Sequence, residues 1–429
     1  MTAPAPETTR VETSVELEPA AVRRQRLTTG ALIALVAVLL FALTFSTSGS
    51  ARFALSDAFA AVQLPTVAVP GPATVIICTI LCLAAAVGFF SGRLPRRWEG
   101  VAGAVGGVAF VLGFLTWAAA GRDLPFPVSN QFAGSLELAT PLVLGALAGV
   151  LCERAGVINV AIEGQFLTAA LAAVVVGSVT QSIPAALIAA IVAGVAMAAL
   201  LAVFSIKYLV NQVVLGVVLN LLATGVTGFV FDQLVKPQNA TLNSAPVFQA
   251  IAIPGLSKIP FLGPILFNQS ILAYLAGISV LLVWILLYKT TWGLRVRAVG
   301  EHPKAADTVG IGVIGIRWSA VLAGGVFAGL GGAFFTLGAT GSFSKELTVG
   351  NGFVALAAVI MGRWHPGWAA IMALLFGFVT QMSSQLQTLS TPVPSQFLLI
   401  LPYVATVIAV AGLIGRVRAP AADGQPYEK

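Results

Sequence analysis

The stretch IPAALIAAIVAGVAMAALLAVFSI, residues 183–206, runs without a single charged side chain. Roughly 17–25 apolar residues are enough to cross the hydrocarbon core of a bilayer as a helix. Similar runs recur along the 429 residues, of which 58% are hydrophobic and only 9% charged. Soluble domains have about 25% charged residues, and a large soluble core would need more polar surface than this chain offers. The sequence therefore predicts an all-α polytopic membrane helical bundle.

Twelve hydrophobic segments make up this predicted bundle. They lie near residues 28–47, 72–91, 100–120, 136–151, 157–178, 183–206, 211–232, 269–288, 317–339, 351–362, 366–387 and 396–415. The segments at 136–151 and 351–362 are short enough to be half-helices or re-entrant pieces, so we expect about 10–12 crossings. Residues 136–178 and 351–387 share a pattern of short helix, charged turn and Gly/Ala-rich helix, which indicates either an internal repeat or a chance similarity.

The distribution of Lys and Arg along the loops predicts an orientation. If the N-terminus is cytoplasmic and each segment crosses once, most of the 23 Lys and Arg lie inside, as the positive-inside rule requires. The net charge of +7 therefore indicates topology and not a nucleic-acid partner. We expect a disordered cytoplasmic tail at 1–26, N-terminal transmembrane helices at 27–130, a core at 131–415 and a cytoplasmic tail at 416–429. The external loop 233–268 is rich in Pro and should contain turns or a short interfacial helix.

One compact segment of mixed charge, GLRVRAVGEHPKAADTVGIG from Gly293 to Gly312, falls on the cytoplasmic side of this topology. Pro303 suits the first position of a helix, and Gly310 suits its end, so we expect a short helix from Pro303 to Val309. So short a helix is marginal in water and needs a surface to lie against. Ala305, Ala306 and Val309 should form its apolar face. The alternative is an ordinary solvated loop.

The segment resembles the coupling loop of permease subunits of ATP-binding-cassette (ABC) importers, and more narrowly that of the branched-chain amino acid, ribose and nucleoside permease superfamily. The matching residues are Gly293, Arg297, Ala298, Gly300, Glu301, Pro303, Ala305, Ala306, Gly310 and Ile311. His302 stands where the family usually has Asn. The resemblance implies that residues 289–317 form a cytoplasmic coupling loop. Its short helix would sit in a cleft of a separate ATPase subunit and transmit nucleotide-driven closure to the spans.

A second stretch, ERAGVINVAIEGQFLTAA from Glu153 to Ala170, carries polar residues into a span. Asn159 and Glu163 would share a face of one helix. A charged residue within a span costs roughly 2.5–3.5 kcal/mol, so Glu163 should face protein, water or a partner such as Arg154. The stretch is similar to a motif of nucleoside-type permeases, with Ala161 replacing the usual Gly, whereas the ribose-type signature is absent. Either a polar clamp between helices or a contact with solute would explain these residues.

A third stretch, VNQVVLGVVLNLLATGVTGFVF from Val210 to Phe231, resembles another segment of the nucleoside type through Asn211, Gln212 and Asn220. Asn220, Thr224 and Thr227 form a polar stripe at helical spacing. Gln381 and Gln385 belong to a further stripe in a later span. Such stripes either bond neighbouring helices or line a passage. We expect Asn159, Glu163, Asn211, Asn220, Thr224, Gln381 and Gln385 to help form a passage for an uncharged, hydroxylated solute.

Glycines and cysteines in this chain indicate packing and not chemistry. Gly325, Gly329 and Gly332 lie at near-helical spacing, which permits close approach of helices. The chain has no phosphate-binding loop of the G-x-x-x-x-G-K-[ST] type, so ATP hydrolysis must be done by another polypeptide. The three cysteines have no disulfide or metal-site spacing. We therefore expect no catalytic residues, metal or cofactor, and a transport subunit that is not itself an enzyme.

The resemblance covers about residues 130–415 and implies a function. It implies the membrane-spanning subunit of an importer in a bacterial cell membrane, most similar to nucleoside permeases. The implied partners are an ABC ATPase subunit, a second permease subunit (a paralogue or a second copy), an extracellular solute-binding lipoprotein and membrane lipid. The alternatives are a ribose-type sugar permease, an ion-coupled secondary transporter with Glu163 as the coupling carboxylate, and a passive channel or scaffold.

Overall fold

A computed structural model of the chain describes residues 20–56, 62–92, 94–389, 391, 394, 396–398, 400 and 418–428. Within these residues, ten helices are long and apolar enough to cross a membrane. The predicted all-α polytopic bundle is therefore confirmed. Most of the predicted tail 1–26 and most of the predicted segment 396–415 lie outside the described residues.

The first of two compact units covers the described residues within 20–46 and 72–114. It contains helix α1 (Ala20–Thr44), most of α2 (Gly71–Ser91) and most of α3 (Arg96–Ala119). Ala37, Leu40, Cys82 and Phe89 belong to its buried core. The Cys82 thiol is free and lies 3.4 Å from the Gly106 carbonyl oxygen, so this cysteine packs as a small buried side chain.

The second unit covers the described residues within 47–71 and 115–428, and twelve further helices can be bounded among them. They are α4 (Val128–Arg154), α5 (Ile162–Thr180), α6 (Ile183–Ala202), α7 (Gln212–Val230), α8 (Asn239–Leu242), α9 (Leu262–Leu266), α10 (Ile271–Lys289), α11 (Thr291–Glu301), α12 (Pro303–Thr308), α13 (Val313–Ala333), α14 (Asn351–Met361) and α15 (Pro366–Thr388). Helices α6, α7 and α13 continue into π-helical turns at Val203–Lys207, Phe231–Val235 and Phe334–Thr340. Helix α4 lies at the centre of this unit, because every residue from Ala139 to Glu153 is buried.

The two segments predicted to be short differ in the structure. Helix α14 is short, with 11 residues, as predicted. The prediction for 136–151 is wrong, because α4 is continuous over 27 residues. Its first turns read as polar in the sequence, but Gln131 is buried and its Nε2 donates to the Phe378 carbonyl at 3.0 Å. The first helices of the two predicted repeat units, α4 and α14, differ in length, so the internal repeat stays a prediction.

Helices α6 and α13 pack at very short range through glycine. A Cβ atom placed on Gly194 would lie 2.6 Å from the Gly325 carbonyl oxygen and 2.7 Å from the Gly329 Cα. A Cβ on Gly332 would meet the Phe166 carbonyl oxygen of α5 at 2.5 Å. The expected packing role of these glycines is confirmed.

Short strands accompany the helices of the second unit. Strand β1 (Ser50–Ala54) lies between antiparallel β2 (Val67–Pro70) and parallel β3 (Phe126–Pro127). Strands β4 (Ala250–Ala252) and β5 (Asn268–Ser270) pair antiparallel. The Pro-rich stretch 233–268 contains β4, α8, α9 and a 3₁₀ turn at Leu256–Lys258, which confirms the expected turns and short helices.

Candidate functional site

A break in the helical backbone separates α4 from α5. Helix α4 ends at Arg154, residues 155–161 are not helical, and α5 begins at Ile162. Gly156 starts the break with φ +83°, a conformation that suits glycine. Asn159 therefore lies before the helix and does not share a helical face with Glu163, so that part of the prediction is wrong. The sequence predicts a charged turn between residues 151 and 157, but it does not indicate that residues 157–161 are also non-helical, because these residues are almost entirely apolar.

Side chains of α7 replace the helical hydrogen bonds that this break removes. Gln212 Oε1 accepts from the Ile158 amide at 2.7 Å. Asn220 Nδ2 donates to the Val160 carbonyl at 2.9 Å, and Asn220 Oδ1 accepts from the Gly164 amide at 2.8 Å. Buried backbone groups need such partners, because leaving them unpaired costs free energy. The Gln212 and Asn220 side chains of α7 thus fix the segment that leads into α5.

Asn159 lies just before the start of α5, and Glu163 is the second residue of α5. The Asn159 side chain is completely buried, and its Nδ2 donates to Gln165 Oε1 at 3.2 Å. Glu163 accepts hydrogen bonds from the Gly350 amide at 2.9 Å, from the Gly352 amide at 2.6 Å and from the Thr348 hydroxyl.

The carboxylate of Glu163 therefore caps the N-terminus of α14. The first amides of a helix have no partner within it and carry a partial positive charge, so a carboxylate is favourable there. The prediction that Arg154 is a partner of Glu163 is wrong, because Arg154 Nε donates to the Trp364 carbonyl at 2.8 Å. No sequence signal identified Thr348 or Gly352 as partners, since each lies well over a hundred positions from Glu163 along the chain.

The segment 341–350, which leads into α14, has an unusual backbone. Glu346 has φ +55° and Val349 has φ +46°, both in the left-handed region. This conformation is a genuine outlier for a β-branched residue such as Val349 and costs on the order of 1–3 kcal/mol. The Val349 side chain is nevertheless 67% exposed. Strained, exposed backbone of this kind is typical of functional sites.

The N-terminal end of α5 lies beside the second half of the central helix α4, since Cβ atoms on Gly145 and Gly149 would both contact the Ile162 side chain. Helix α14 runs beside the second half of α4, since Gly145 faces Ala355 and Gly149 faces Val359. Its 11 residues span about 16 Å, roughly half of a 30 Å hydrocarbon core. Glu163 and its partners at the N-terminus of α14 thus lie inside the bundle, beside α4.

The other residues predicted for the passage are more dispersed. Asn211 caps α7 by accepting from the Val213 and Val214 amides at 3.1 Å. Thr224 is half-buried on α7, one turn beyond Asn220. On α15, Gln381 lies against the first turns of α4, where its Nε2 is 3.5 Å from the Asn130 carbonyl oxygen, and Gln385 is buried.

The charged segment after α10 folds into two short helices, α11 and α12; we call residues 291–310 the coupling segment. The Thr290 hydroxyl begins α11 by accepting from the Gly293 amide at 3.1 Å. His302 Nδ1 begins α12 by accepting from the Ala305 amide at 3.1 Å, so the histidine performs the capping function here. Helix α12 runs from Pro303 to Thr308 and Gly310 follows with φ +83°, which confirms the predicted short helix.

The predicted apolar face of α12 is only partly correct. Ala306 is buried, but Ala305 is exposed and the Val309 side chain is 75% exposed. Helix α12 therefore presents Ala305 and Val309 outward, together with the exposed side chains of Glu301 and Lys304. This surface is accessible to another protein.

The coupling segment rests directly on the C-terminal end of α4, which in turn contacts the turn between α14 and α15. Gly300 of α11 lies so close to the Arg154 carbonyl oxygen that any side chain there would overlap it. The Arg297 guanidinium lies over the Tyr288 ring, 4.9 Å from its centroid. His365 lies in the turn between α14 and α15, close to Arg154. Burial and the Arg154 charge lower the pKa of this histidine. A continuous chain of contacts thus joins α11 to the turn after α4 and to the turn after α14.

Comparison with known proteins identifies the family. Residues 131–412 match the family described as branched-chain amino acid transport system / permease component. The chain is 39% identical over 304 residues to the guanosine ABC transporter permease protein NupQ of Bacillus subtilis, which covers 69% of this chain and 95% of that relative. It is 37% identical over 309 residues to the nucleoside ABC transporter permease protein NupC of Lactococcus lactis, covering 69% and 96%.

A putative glucose ABC transporter permease protein of Haloferax volcanii is 36% identical over 260 residues, covering 60% of this chain and 77% of that relative. No solved structure matches the chain.

Proposed function

The chain belongs to the family of branched-chain amino acid transport system permease components, and we propose that it forms the passage of an ATP-driven importer for nucleosides. It is a multi-pass membrane protein and a transport subunit. The observation that carries the nucleoside assignment is the similarity to two nucleoside permeases over nearly their whole length. The putative glucose permease is nearly as identical to this chain, but its match covers less of this chain and less of the relative, so the longer matches favour nucleosides over sugars.

The energy source in this proposal is a separate ABC ATPase that docks on the coupling segment. Residues Glu301 and Ala305 are exposed for this contact, while Ala306 fixes α12 to the protein. Pro303 and Gly310 define the ends of α12, and Arg297 anchors α11 through its contact with Tyr288. Movement of the coupling segment would be passed to the turns after α4 and α14. The coupling segment and both termini would then lie in the cytoplasm of a bacterial cell.

The solute would pass beside the two helix breaks, residues 155–161 and 341–350. Transporters commonly bind solutes near the bilayer midplane, where interrupted helices expose backbone groups. Asn159, Glu163 and Asn220 would shape this part of the passage by fixing the broken backbone, and the exposed Val349 would contact the solute. Asn211, Thr224, Gln381 and Gln385 would line the passage farther from the breaks. A second permease chain would form its other wall, and an extracellular solute-binding lipoprotein would deliver the solute.

The contacts of Glu163 argue against an ion-coupled secondary transporter. A coupling carboxylate must release its partners to bind and free an ion. The Glu163 carboxylate already accepts from two backbone amides and one hydroxyl at a helix N-terminus. It is therefore better suited to hold α14 than to exchange ions.

Uptake by proteoliposomes tests the proposed function. The chain would be reconstituted with its cognate ATPase and partner permease, and uptake of radiolabelled guanosine would be measured with its solute-binding protein outside. We expect uptake that needs ATP inside, survives collapse of ion gradients by ionophores and is competed by other nucleosides but not by ribose. A hydrolysis-deficient ATPase subunit is the matched control. Uptake that persists with this control and stops with the ionophores would select the secondary transporter, and uptake indifferent to both would select the channel.

A further inference from the structure

The C-terminal segment, residues 418–428, packs against the coupling segment through its backbone. The Ala422 amide donates to the Gly300 carbonyl at 2.9 Å. The Ala421 amide lies 3.3 Å from Glu301 Oε2 and donates to it. Carbonyls in the last turn of a helix have no partner within the helix, so the Ala422 amide supplies the bond that the end of α11 lacks.

A tyrosine side chain of the C-terminal segment lies between the helices. Tyr427 is only 8% exposed and forms a small apolar cluster with Val299, Ala306 and Val313, which come from α11, α12 and α13. Its hydroxyl lies near the Asp307 side chain of α12. Ala306 is the only residue of α12 that is buried, and it is buried in this cluster.

A buried arginine fixes the C-terminal segment to α13. The Arg317 side chain is 1% exposed, and its Nη1 donates to the Gln425 carbonyl at 2.9 Å. The segment also covers the break after α4, since a Cβ atom on Gly156 would lie 2.9 Å from the Ala422 carbonyl oxygen. Burial raises the pKa of the neighbouring Asp423, so its carboxyl contributes less charge than an exposed one would. The C-terminal segment therefore touches α11, α12, α13 and the turn after α4.

We propose that the C-terminal segment positions the coupling segment for its ATPase, with Tyr427 as the positioning residue. Helix α12 has six residues, too few to hold its shape and direction in isolation. Tyr427 and α13 enclose Ala306 and thereby fix α12 against the bundle. Without this contact, α12 would yield when the ATPase moves, and hydrolysis would proceed without transport. This inference rests on the proposed function.

A spin label attached at Thr308→Cys tests the contact in the purified chain. Thr308 is exposed, while Cys78, Cys82 and Cys152 are buried, so the label goes to the introduced site. We expect a more mobile spectrum in Tyr427→Ala and an unchanged one in Tyr427→Phe, which keeps the buried ring. The matched control is Gln425→Ala, because the Gln425 side chain bonds only within the C-terminal segment, at the Ala421 carbonyl. Identical spectra in all variants would overturn the inference.

A second variant acts through the backbone and leaves Tyr427 in place. Ala422→Pro removes the amide that donates to the Gly300 carbonyl. We expect the same increase in mobility at residue 308. This variant tests the contact even if Tyr427→Ala does not fold.

The ratio of ATP hydrolysed to guanosine taken up, in the reconstituted complex, separates positioning from mere support of the fold. We expect Tyr427→Ala to raise this ratio about tenfold with the ATPase still bound, within the usual range of coupling between sites. Tyr427→Phe should restore the original ratio. A mobile spectrum with an unchanged ratio would overturn the positioning role. If the unaltered chain neither binds ATPase nor takes up guanosine, the proposed function fails and the inference falls with it; if only the Tyr427→Ala ratio stays unchanged, the inference alone fails.

Discussion

Individual polar side chains at the two helix breaks mostly form hydrogen bonds with backbone groups. Glu163, Asn220 and Gln212 together supply hydrogen-bond partners for amides or carbonyls of five residues at the two helix breaks: Ile158, Val160, Gly164, Gly350 and Gly352. A charged group inside a span is costly by itself, but two backbone amides and a hydroxyl at a helix N-terminus offset that cost. These side chains therefore make an interrupted backbone possible in the middle of the bundle.

Replacing Glu163 tests its role as a helix cap. Glu163→Gln keeps the shape but removes the charge, and hydrogen bonds to a charged group contribute about 1.5–3 kcal/mol. We expect a clearly lower midpoint of thermal unfolding in detergent. Glu137→Gln on α4 is the matched control, because this carboxylate lies exposed in a span. Equal midpoints for the two variants would contradict the capping role.

Replacing Asn220 tests the clamp between α7 and α5. Asn220→Leu leaves the Gly164 amide and the Val160 carbonyl without their side-chain partner, at a cost of about 1–3 kcal/mol for each buried group. We expect reduced thermal stability and impaired guanosine uptake with membrane insertion retained. Thr224→Val, one turn along α7, should leave the stability nearly unchanged. Normal stability and uptake in Asn220→Leu would remove this residue from both the clamp and the passage.

At the scale of elements, the boundaries of short helices follow local rules. Pro303 and Gly310 predicted α12, because each residue has a strong positional preference at a helix end. Helix α11 was not predicted, since it is short and includes Gly293 and Gly300, which are poor helix formers. Thr290, a good N-cap, was the available signal. The turn after α4 was predicted, but the extension of the break to residue 161 was not, because its hydrogen bonds come from α7, more than fifty residues away along the chain. The local sequence therefore indicates helix caps, but it does not indicate hydrogen-bond partners that lie far away along the chain.

The cap of α12 can be tested at His302. His302→Ala removes the acceptor for the Ala305 amide, which should destabilise this helix by about 1 kcal/mol. We expect faster hydrogen exchange in a peptide covering residues 303–310. His302→Asn should restore slow exchange, since Asn is a strong N-cap. Unchanged exchange in His302→Ala would show that the cap contributes nothing.

Close packing of α6 on α13 gives a second prediction at this scale. A methyl group on Gly194 would overlap the backbone of α13, so Gly194→Ala should destabilise the bundle by about 1–3 kcal/mol. Gly225→Ala on α7 is the matched control, because nothing lies within 4 Å of its added Cβ. That substitution should be neutral or stabilising by up to about 1 kcal/mol. Thermal unfolding of both variants in detergent would reveal the contrast, and equal effects would contradict the packing.

At the scale of the whole molecule, composition alone was sufficient for the class of fold. Long apolar runs such as 183–206 have no stable alternative to crossing a bilayer as helices. The length of α4 was not predictable in the same way, because three polar side chains in its first turns, Ser129, Gln131 and Ser135, are buried inside the protein, and Gln131 bonds to α15. The passage could be predicted only as a set of polar stripes. Its geometry depends on how α5, α7 and α14 meet at the breaks, which no single segment encodes.

In the proposed function, a separate ATPase binds the coupling segment. Photo-crosslinking from residue 305 in the reconstituted complex tests it most directly, since Ala305 is exposed on α12. A benzophenone probe at Ala305→Cys should form an adduct with the ATPase subunit, whereas the same probe at Lys258→Cys, in the stretch predicted to be external, should not. An actively transporting complex in which residue 305 gives no adduct, or in which residue 258 does, would contradict the account.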